Sequence, residues 1–579
     1  MKKNILIKGI AALMMASAVS PALTSCSSDY LEKAPITSTS AADIGGTIEG
    51  ARAAKTGLCQ GMYRQFTGHN LFSTNGEPWM MIYYGEVFGN TFLSNYFCGH
   101  GTGNTYTTWA QLRDETYWGA QQMWYYAYNL ISWANTMLDN IDNLEPYEGE
   151  RDFIKAVALT MRAHCYIRLV QCYAPNWENA NGGDVKCLII RNTGTTEDKA
   201  FGTMGEAMEL IYDDLQTAIK LFDDCGWKRD FLWEPDGSVA RGLLARAAMI
   251  KHDYTLAQQM AKEARQGYRI MSADEYNSGF VTANDEYMWA TMYEAPAQSI
   301  YYYATGASNA CNGRYQESWG YTVNSIDYML YKKFPMSDVR KGLYITPEFI
   351  ELNQELADEY GVTKDDFWDE SKIYTNGFRI QINSVNDNMK NFVIAYGKQE
   401  YARQDAINQF LSGTVAPYQS KSSEILFGTQ YKFWGNQIYG MNQWPFMRAS
   451  EMGYTEAEAA FRNGDEATAR KIMEELNKDV RDPNYTCSAT GDALLQEIKD
   501  YRAFELWGEG FNWFDMKRWH DPIVRVAWEA NNPNSGNRGT SFAQTFSPDQ
   551  YYGWMVVVPQ VEFNYNKLAS RADLPGGNK

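Results

Sequence analysis

The 579-residue chain carries 70 acidic against 52 basic side chains, a net charge of −18, and such a balance excludes a surface built to track nucleic-acid phosphates. Its length exceeds the size at which one hydrophobic core usually stops growing, yet no Gly/Ser-rich or Pro-rich linker divides it, so one large domain or a scaffold with a big insertion is expected. With 18 Trp, 40 Tyr and 26 Phe, 15% of the chain is aromatic, enough for a core and for an exposed face on which Trp and Tyr offer flat apolar rings with polar tips.

The chain starts with a basic stretch (Lys2, Lys3, Lys8), an apolar run from about Ile10 to Ala18, and Leu23-Thr24-Ser25-Cys26. This tetrapeptide resembles the bacterial lipobox, in which small residues before cysteine allow acylation of its sulfur and cleavage ahead of it. Residues 1–25 are expected to be a lipoprotein signal peptide, Cys26 the lipidated residue, and 26–47 a polar tether. An ordinary signal peptide with a chance cysteine, or a single membrane anchor, are the alternatives. Each buried methylene contributes about 0.8 kcal/mol, so more than one acyl chain suffices for stable anchoring. None of the remaining eight cysteines forms a C-x-x-C pair, and the five histidines show no zinc spacing. Buried thiols are therefore expected, Cys165 and Cys172 sharing one helical face.

Residues 48–284 read as an N-terminal helical scaffold with an aromatic region at 75–109. Ile154, Val157, Met161, Cys165, Leu169 and Cys172 recur at steps of three and four, as do Met208, Ile211, Leu215, Ile219 and Phe222. A third block breaks near His252-Asp253 and continues with Ala257, Met260, Ala261, Ala264 and Tyr268. From 285 to 445 the periodicity fails, and Gly, Asn, Tyr and Trp dominate, the signature of loops and short strands laid over a rigid scaffold. Helical pairing resumes in 446–579, with a turn at Asn463-Gly464-Asp465. The fold class is all-α: a tetratricopeptide-like helical-repeat scaffold with a large irregular, loop-rich insertion, a general helical bundle being the alternative.

Near the C-terminus stands "ELWGEGFNWFDMKRWH", Glu505 to His520, read as one helix. Phe504, Trp507, Phe511 and Phe514 form its core stripe, with Arg502, Glu505 and Glu509 beside it. Two carboxylates at i,i+4 invite comparison with a glycosidase pair. Side chains on one helical face cannot flank a scissile bond, however, and Arg502 with Lys517 or Arg518 is expected to pair with these acids and hold them ionised.

The same stretch resembles the C-terminal hallmark of the SusD/RagB family of Bacteroidetes outer-membrane lipoproteins. Glu505-Leu506, Glu509-Gly510, Trp513, Asp515, Lys517 and Arg518 match its pattern, while Ala503 and Asn512 stand where the family often has Arg. "CSSDYLEKAP", "AVALTMRAHCYIRLVQCYAP", "IYDDLQTAI", "NDEYMWA" and "MVVVPQVEFNYN" resemble further family segments in order, although the usual Q-N-P-G-Y ending is replaced by "KLASRADLPGGNK".

The resemblance implies a SusD-like fold and a non-enzymatic, cell-surface protein. Such a protein is expected to capture oligosaccharide or polysaccharide and deliver it to a SusC-like TonB-dependent transporter, lipid-anchored in the outer membrane and facing the exterior. RagB-like capture of peptides is the alternative; a purely structural repeat scaffold and an unrecognised glycoside hydrolase are less favoured, since no G-x-S-x-G, zinc or phosphate-loop motif is present. Calcium occurs in some members, but no calcium-loop motif stands here, so no cofactor is expected. An aromatic platform stacks on the C–H face of a sugar while amide or charged groups bond its hydroxyls. This nominates Trp79, Tyr83 and Tyr96 from the first aromatic region, and Tyr301, Tyr303, Asn312, Arg314 and Trp319 from the second. The stretch around Tyr83 also has a period that suits a buried helix.

Overall fold

The computed structural model describes residues 46–93, 112–291, 325–396, 425–433 and 443–578, short gaps within these ranges excepted. The first helix, α1 (Ile48–Gln60), starts at Thr47, whose hydroxyl accepts a hydrogen bond from the Gly50 N–H at 3.0 Å. Two 24-residue helices follow, α2 (Trp118–Ile141) and α3 (Glu150–Tyr173), packed against each other. The periodic stripe expected in α3, from Ile154 to Cys172, is fully buried. Helix α2 was not anticipated. Its stripe of Ala120, Met123, Ala127, Leu130 and Ala134 is buried and properly spaced, but it lies in a text crowded with Trp, Tyr and Asn that masks the period.

A reciprocal Thr203–Glu206 capping box opens α4 (Met204–Asp224). Then come α5 (Gly237–Lys251) and α6 (Tyr254–Ala264), separated by His252 in the left-handed region (φ 62°) and by Asp253, which caps Leu256 N at 3.2 Å. Each helix from α2 to α6 packs on its predecessor, as in a stacked helical repeat. The stack then skips the insertion. Helix α6 packs on α7 (Ala449–Arg462), and α7 on both α8 (Glu466–Asn477) and α9 (Gly491–Glu505).

The strands that frame the insertion and its junction with the scaffold are, in chain order, β1 (Phe92–Leu93), β2 (Tyr287–Ala290), β3 (Ser325–Ile326), β4 (Ile373–Asn376), β5 (Arg379–Ile382), β6 (Ile425–Leu426) and β7 (Pro445–Arg448), with three further two-stranded pairs elsewhere among the described residues. The insertion leaves through β2 and returns through β7, which pair antiparallel with Tyr287 opposite Arg448. Inside it β6, β5 and β4 form an antiparallel sheet in that order, and the short helices Pro347–Leu352 and Gln354–Tyr360 lie beyond what was read as loops and strands. Ile345, Phe349, Ile350, Phe392 and Phe427 belong to a hydrophobic cluster separate from the main core.

The Glu505–His520 stretch departs from the single helix expected. Helix α9 ends at Glu505 and α10 (Asn512–Trp519) starts afresh. Gly510 sits between them at φ 93°, and a Cβ there would lie 2.4 Å from that of Met81. The approach is mutual, since a Cβ on Gly85 would lie 2.1 Å from the Gly510 carbonyl oxygen. Phe504, Trp507 and Phe514 are buried, while Phe511 is half-buried with the Arg246 and Arg502 guanidiniums over its ring. The six described cysteines, Cys165 and Cys172 included, are free thiols. Among the described residues no helix is long and apolar enough to cross a membrane, and no cluster of His, Cys, Asp and Glu could hold a metal ion.

Candidate functional site

Segments from three distant parts of the chain meet beside α10. Strand β1 pairs antiparallel with β3, Phe92 facing Ile326 and Leu93 facing Ser325. Ser325 also bridges to Thr429, and Ile326 N–H donates to Gly428 O at 3.0 Å. The two aromatic regions singled out in the sequence, one running on from Leu93 and one arriving at Ser325, therefore have adjacent roots.

The hallmark stretch builds this junction. The Trp507 ring stacks on Phe92 at 5.0 Å, and its indole N–H donates to Thr91 O at 3.0 Å. Asn512 Oδ1 accepts from the N–H groups of Asn90 and Thr91 at 2.8 and 3.3 Å, so this departure from the family's usual Arg holds the chain before β1. From further along, Arg538 binds Asp327 at 2.7 Å and donates to Asn90 O at 2.8 Å, while Asn537 donates to Ile326 O and Phe427 O, each at 3.0 Å. Arg525 donates to Val87 O and Gly89 O. None of these three residues was flagged from the sequence, where they sit among polar, aperiodic text.

Glu505 and Glu509 have other partners than those expected. Arg481 clamps Glu505 with two bonds of 2.9 Å, and Arg340 and Arg448 reach it at 3.0 and 3.2 Å. Glu509 takes Arg448 at 2.7 and 2.8 Å and Lys432 at 2.8 Å. Arg448 also binds Glu286 at 2.5 Å, and Arg340 binds Asp338 at 2.6 Å. Thus four acids and four bases, each buried, come from the insertion, the β2–β7 neck and the C-terminal segment from Arg481 to Glu509. Arg502 instead binds Asp515 at 2.6 Å, Arg518 binds Asp515 and Glu458, and Lys517 donates to Gln171 O and Ala174 O. The local pairing fails because Glu509 lies in the turn and not on the helical face of Arg502.

Burial alone would push the Glu505 carboxyl up, but Arg481, Arg448 and Arg340 outweigh it and hold the group well below the usual carboxylate range. Arg448 and Lys432 likewise hold Glu509 down against its burial. With exposures of 1% and 4%, neither carboxylate can touch a sugar. Glu86 goes the other way: burial pushes it up to about 8 although its Oε1 accepts from the Gly510 and Phe511 N–H groups at 2.7 and 3.1 Å.

Of the nominated binding residues, Tyr83 is corrected. It lies in the π-helical segment Met81–Val87, 1% exposed, with its ring edge-on to Tyr84 and Phe88; it is core, as the local period hinted. Trp79 belongs to the helix Glu77–Met80, but its side chain lies outside the description. That helix is pinned by Glu77, which takes bonds from Tyr126 and His164 at 2.7 Å and from Arg168 at 2.9 Å. Tyr96, Tyr301, Tyr303, Asn312, Arg314, Trp319 and the expected lipidation residue Cys26 lie outside the described residues.

Two family models match. Residues 285–567 match the SusD family model, and residues 83–249 match one described as starch-binding, associating with the outer membrane. The chain belongs to the SusD/RagB family. This family consists of binding proteins that associate with the outer membrane. Solved structures share the fold over nearly the whole length. A SusD-like carbohydrate-binding protein from Bacteroides vulgatus is 19% identical with a TM-score of 0.69, covering 92% of this chain and 98% of its own. A SusD superfamily protein from Bacteroides thetaiotaomicron is 17% identical with a TM-score of 0.64, covering 90% and 99%. One from Bacteroides fragilis is 16% identical with a TM-score of 0.61, covering 91% and 100%. No curated protein matches the sequence. The SusD-like architecture of a helical-repeat scaffold with few short strands is thus that of the sequence reading.

Proposed function

We propose that this protein captures glycan chains at the cell surface and passes them to a SusC-like TonB-dependent transporter, held in the outer membrane by an acylated Cys26. The observation carrying this reading is the β1–β3 pairing, which sets side by side the strands that flank two aromatic-rich segments of the sequence. In the sequence Tyr96 follows Leu93 by three residues and Trp319 precedes Ser325 by six. Trp319 and its neighbours Asn312 and Arg314 combine ring and hydrogen-bonding chemistry suited to a sugar. The match to a starch-binding family model and the likeness to a carbohydrate-binding protein support the same ligand class.

Binding without turnover fits the buried, fully paired state of Glu505 and Glu509. The division into a scaffold at 48–284, a ligand-binding part at 285–445 and a C-terminal helical part at 446–579 belongs to this reading. Calorimetry of the chain from Ser27 onward against polysaccharides, host-type glycans and mixed peptides tests it, with Trp79→Ala and Trp319→Ala alongside. Saturable glycan binding weakened in either variant is expected. Binding of peptides alone overturns the glycan reading in favour of RagB-like capture, and glycan hydrolysis overturns the non-enzymatic one.

A further inference from the structure

The π-helical segment Met81–Val87 and the turn between α9 and α10 meet backbone to backbone, Gly85 against Gly510, with no room for a Cβ on either. Glu86 closes this joint. Its Oε1 accepts from two consecutive N–H groups of the turn, those of Gly510 and Phe511, while its Oε2 is buried without a hydrogen-bond partner. Lys432, from the returning insertion, and Glu509, from the turn, are the charges that face it. Lys432 has no donor to spare: its three ammonium hydrogens go to Glu505 O at 2.7 Å, Trp507 O at 2.9 Å and Glu509 Oε1 at 2.8 Å. Glu509 is held in turn by Arg448. Other charged groups on the adjoining elements are engaged away from the joint: Glu77 with His164 and Arg168, Asp515 with Arg502 and Arg518, Lys517 with Gln171 O and Ala174 O, and Arg525 with Val87 O and Gly89 O.

We propose that Glu86 is a proton-operated latch, locking the π-helical segment to the turn between α9 and α10 while it carries a proton and loosening the joint when it ionises. An unpartnered neutral oxygen in the interior has a moderate cost; a bare carboxylate oxygen beside Glu509 has a far larger one. The ionised group has two ways to recover. It draws Lys432 off one of its three acceptors, or it admits water between Gly85 and Gly510, and either undoes a contact of the turn. The loosening passes to β1, because the same turn stacks Trp507 on Phe92, and Asn512 just beyond it holds the N–H groups of Asn90 and Thr91. Burial, with Glu509 adding to it, raises the carboxyl to about 8 against the pull of the Gly510 and Phe511 N–H groups and of Lys432. The folded chain therefore keeps the proton at neutral pH, and the hold of the latch weakens as pH rises until it is spent above about 8. The device acts on the strand that flanks the first aromatic-rich segment of the sequence, whichever ligand the protein captures.

Hydrogen exchange of the chain from Ser27 onward tests this, read by mass spectrometry from about pH 6 to about pH 9 and corrected for the intrinsic exchange rate at each pH. In the wild type, protection of peptides covering 81–93 and 507–513 is expected to fall about tenfold between pH 6 and pH 7 and to level off above about pH 8, since opening releases one proton. Protection in α3 is expected to stay level. Glu86→Gln keeps an acceptor for the two N–H groups and cannot ionise, so it is expected to flatten the profile of both segments and leave α3 as it was. Level protection of the two segments in the wild type overturns the proposal, as does a slope that survives in Glu86→Gln or one that runs equally through α3. Where a melting curve shows that Glu86→Gln does not fold, the wild type decides alone: a slope confined to the two segments supports the latch, and its absence overturns it.

Discussion

From α2 to α6 each helix is laid directly on its predecessor, with small and branched side chains such as Ala156, Val157, Ala163, Ala245 and Ala261 fully buried along the stack. Residues 325–433 meet the scaffold differently: Arg340 and Lys432 reach from the insertion into buried carboxylates of the C-terminal segment. The stack draws its stability from many apolar contacts that tolerate change one at a time. The insertion adds to its own apolar contacts, such as Phe334 stacked on Phe504 at 3.9 Å, a set of buried charges that cannot be left unpaired, because a single buried charge without its partner costs far more than a lost methyl. Such an arrangement holds β1 and β3 side by side in one geometry.

The sharpest way to break this contrast is Glu505→Ala, which leaves Arg340, Arg448 and Arg481 facing one another. A loss of ~3–5 kcal/mol is expected, read by denaturant unfolding, with hydrogen-exchange protection falling first around 325–350 and later in α3. Equal loss in both regions, or a cost under about 1 kcal/mol, would erase the distinction. Gly510→Ala comes next. Its φ and its closeness to Met81 predict a cost of ~1–3 kcal/mol, and the same denaturation curve would expose a harmless substitution.

Glu86 sharpens the comparison through pH. Its folded-state value is raised from 4.5 to about 8, so the folded chain holds a proton that the unfolded chain releases. Its stabilising contribution is fully present below about pH 4.5 and is lost as pH rises towards 8. Glu86→Gln keeps an acceptor for the Gly510 and Phe511 N–H groups, and should flatten that slope, at most ~1.4 kcal/mol per pH unit. Melting profiles of the two proteins across this range would show superimposable slopes if Glu86 were irrelevant. The smallest effect belongs to the scaffold surface: Lys155→Ala removes the exposed pair with Asp142 at 2.7 Å and should cost under about 1 kcal/mol.

The helices α3 to α8 were legible because the 3.6-residue period is a local property, written in the spacing of Ile154, Val157 and Met161 whatever surrounds them. The caps at Asp253 and Asp465 were legible for the same reason, as turn residues between two periodic runs. The hallmark at Glu505–His520 marked the family correctly, and its local spacing misassigned the partners of its acids. Those partners stand 57 and 165 residues away, at Arg448 and Arg340, and no periodicity encodes a contact across such a gap.

The candidate site divides along the same line. Residue type and family pattern supplied the aromatic regions, and by themselves could not tell the Tyr83 ring in the core from a ring on a platform, since both uses favour the same side chain. The sequence by itself determined most of the helical stack and the family. Only the tertiary structure decided that β1 and β3 lie side by side, that Asn512 caps the chain entering β1, and that Glu505 and Glu509 are sealed among cations. The reason is physical: helix periodicity is set within a few residues of chain, whereas strand pairing and buried charge compensation depend on which distant segments folding brings into contact.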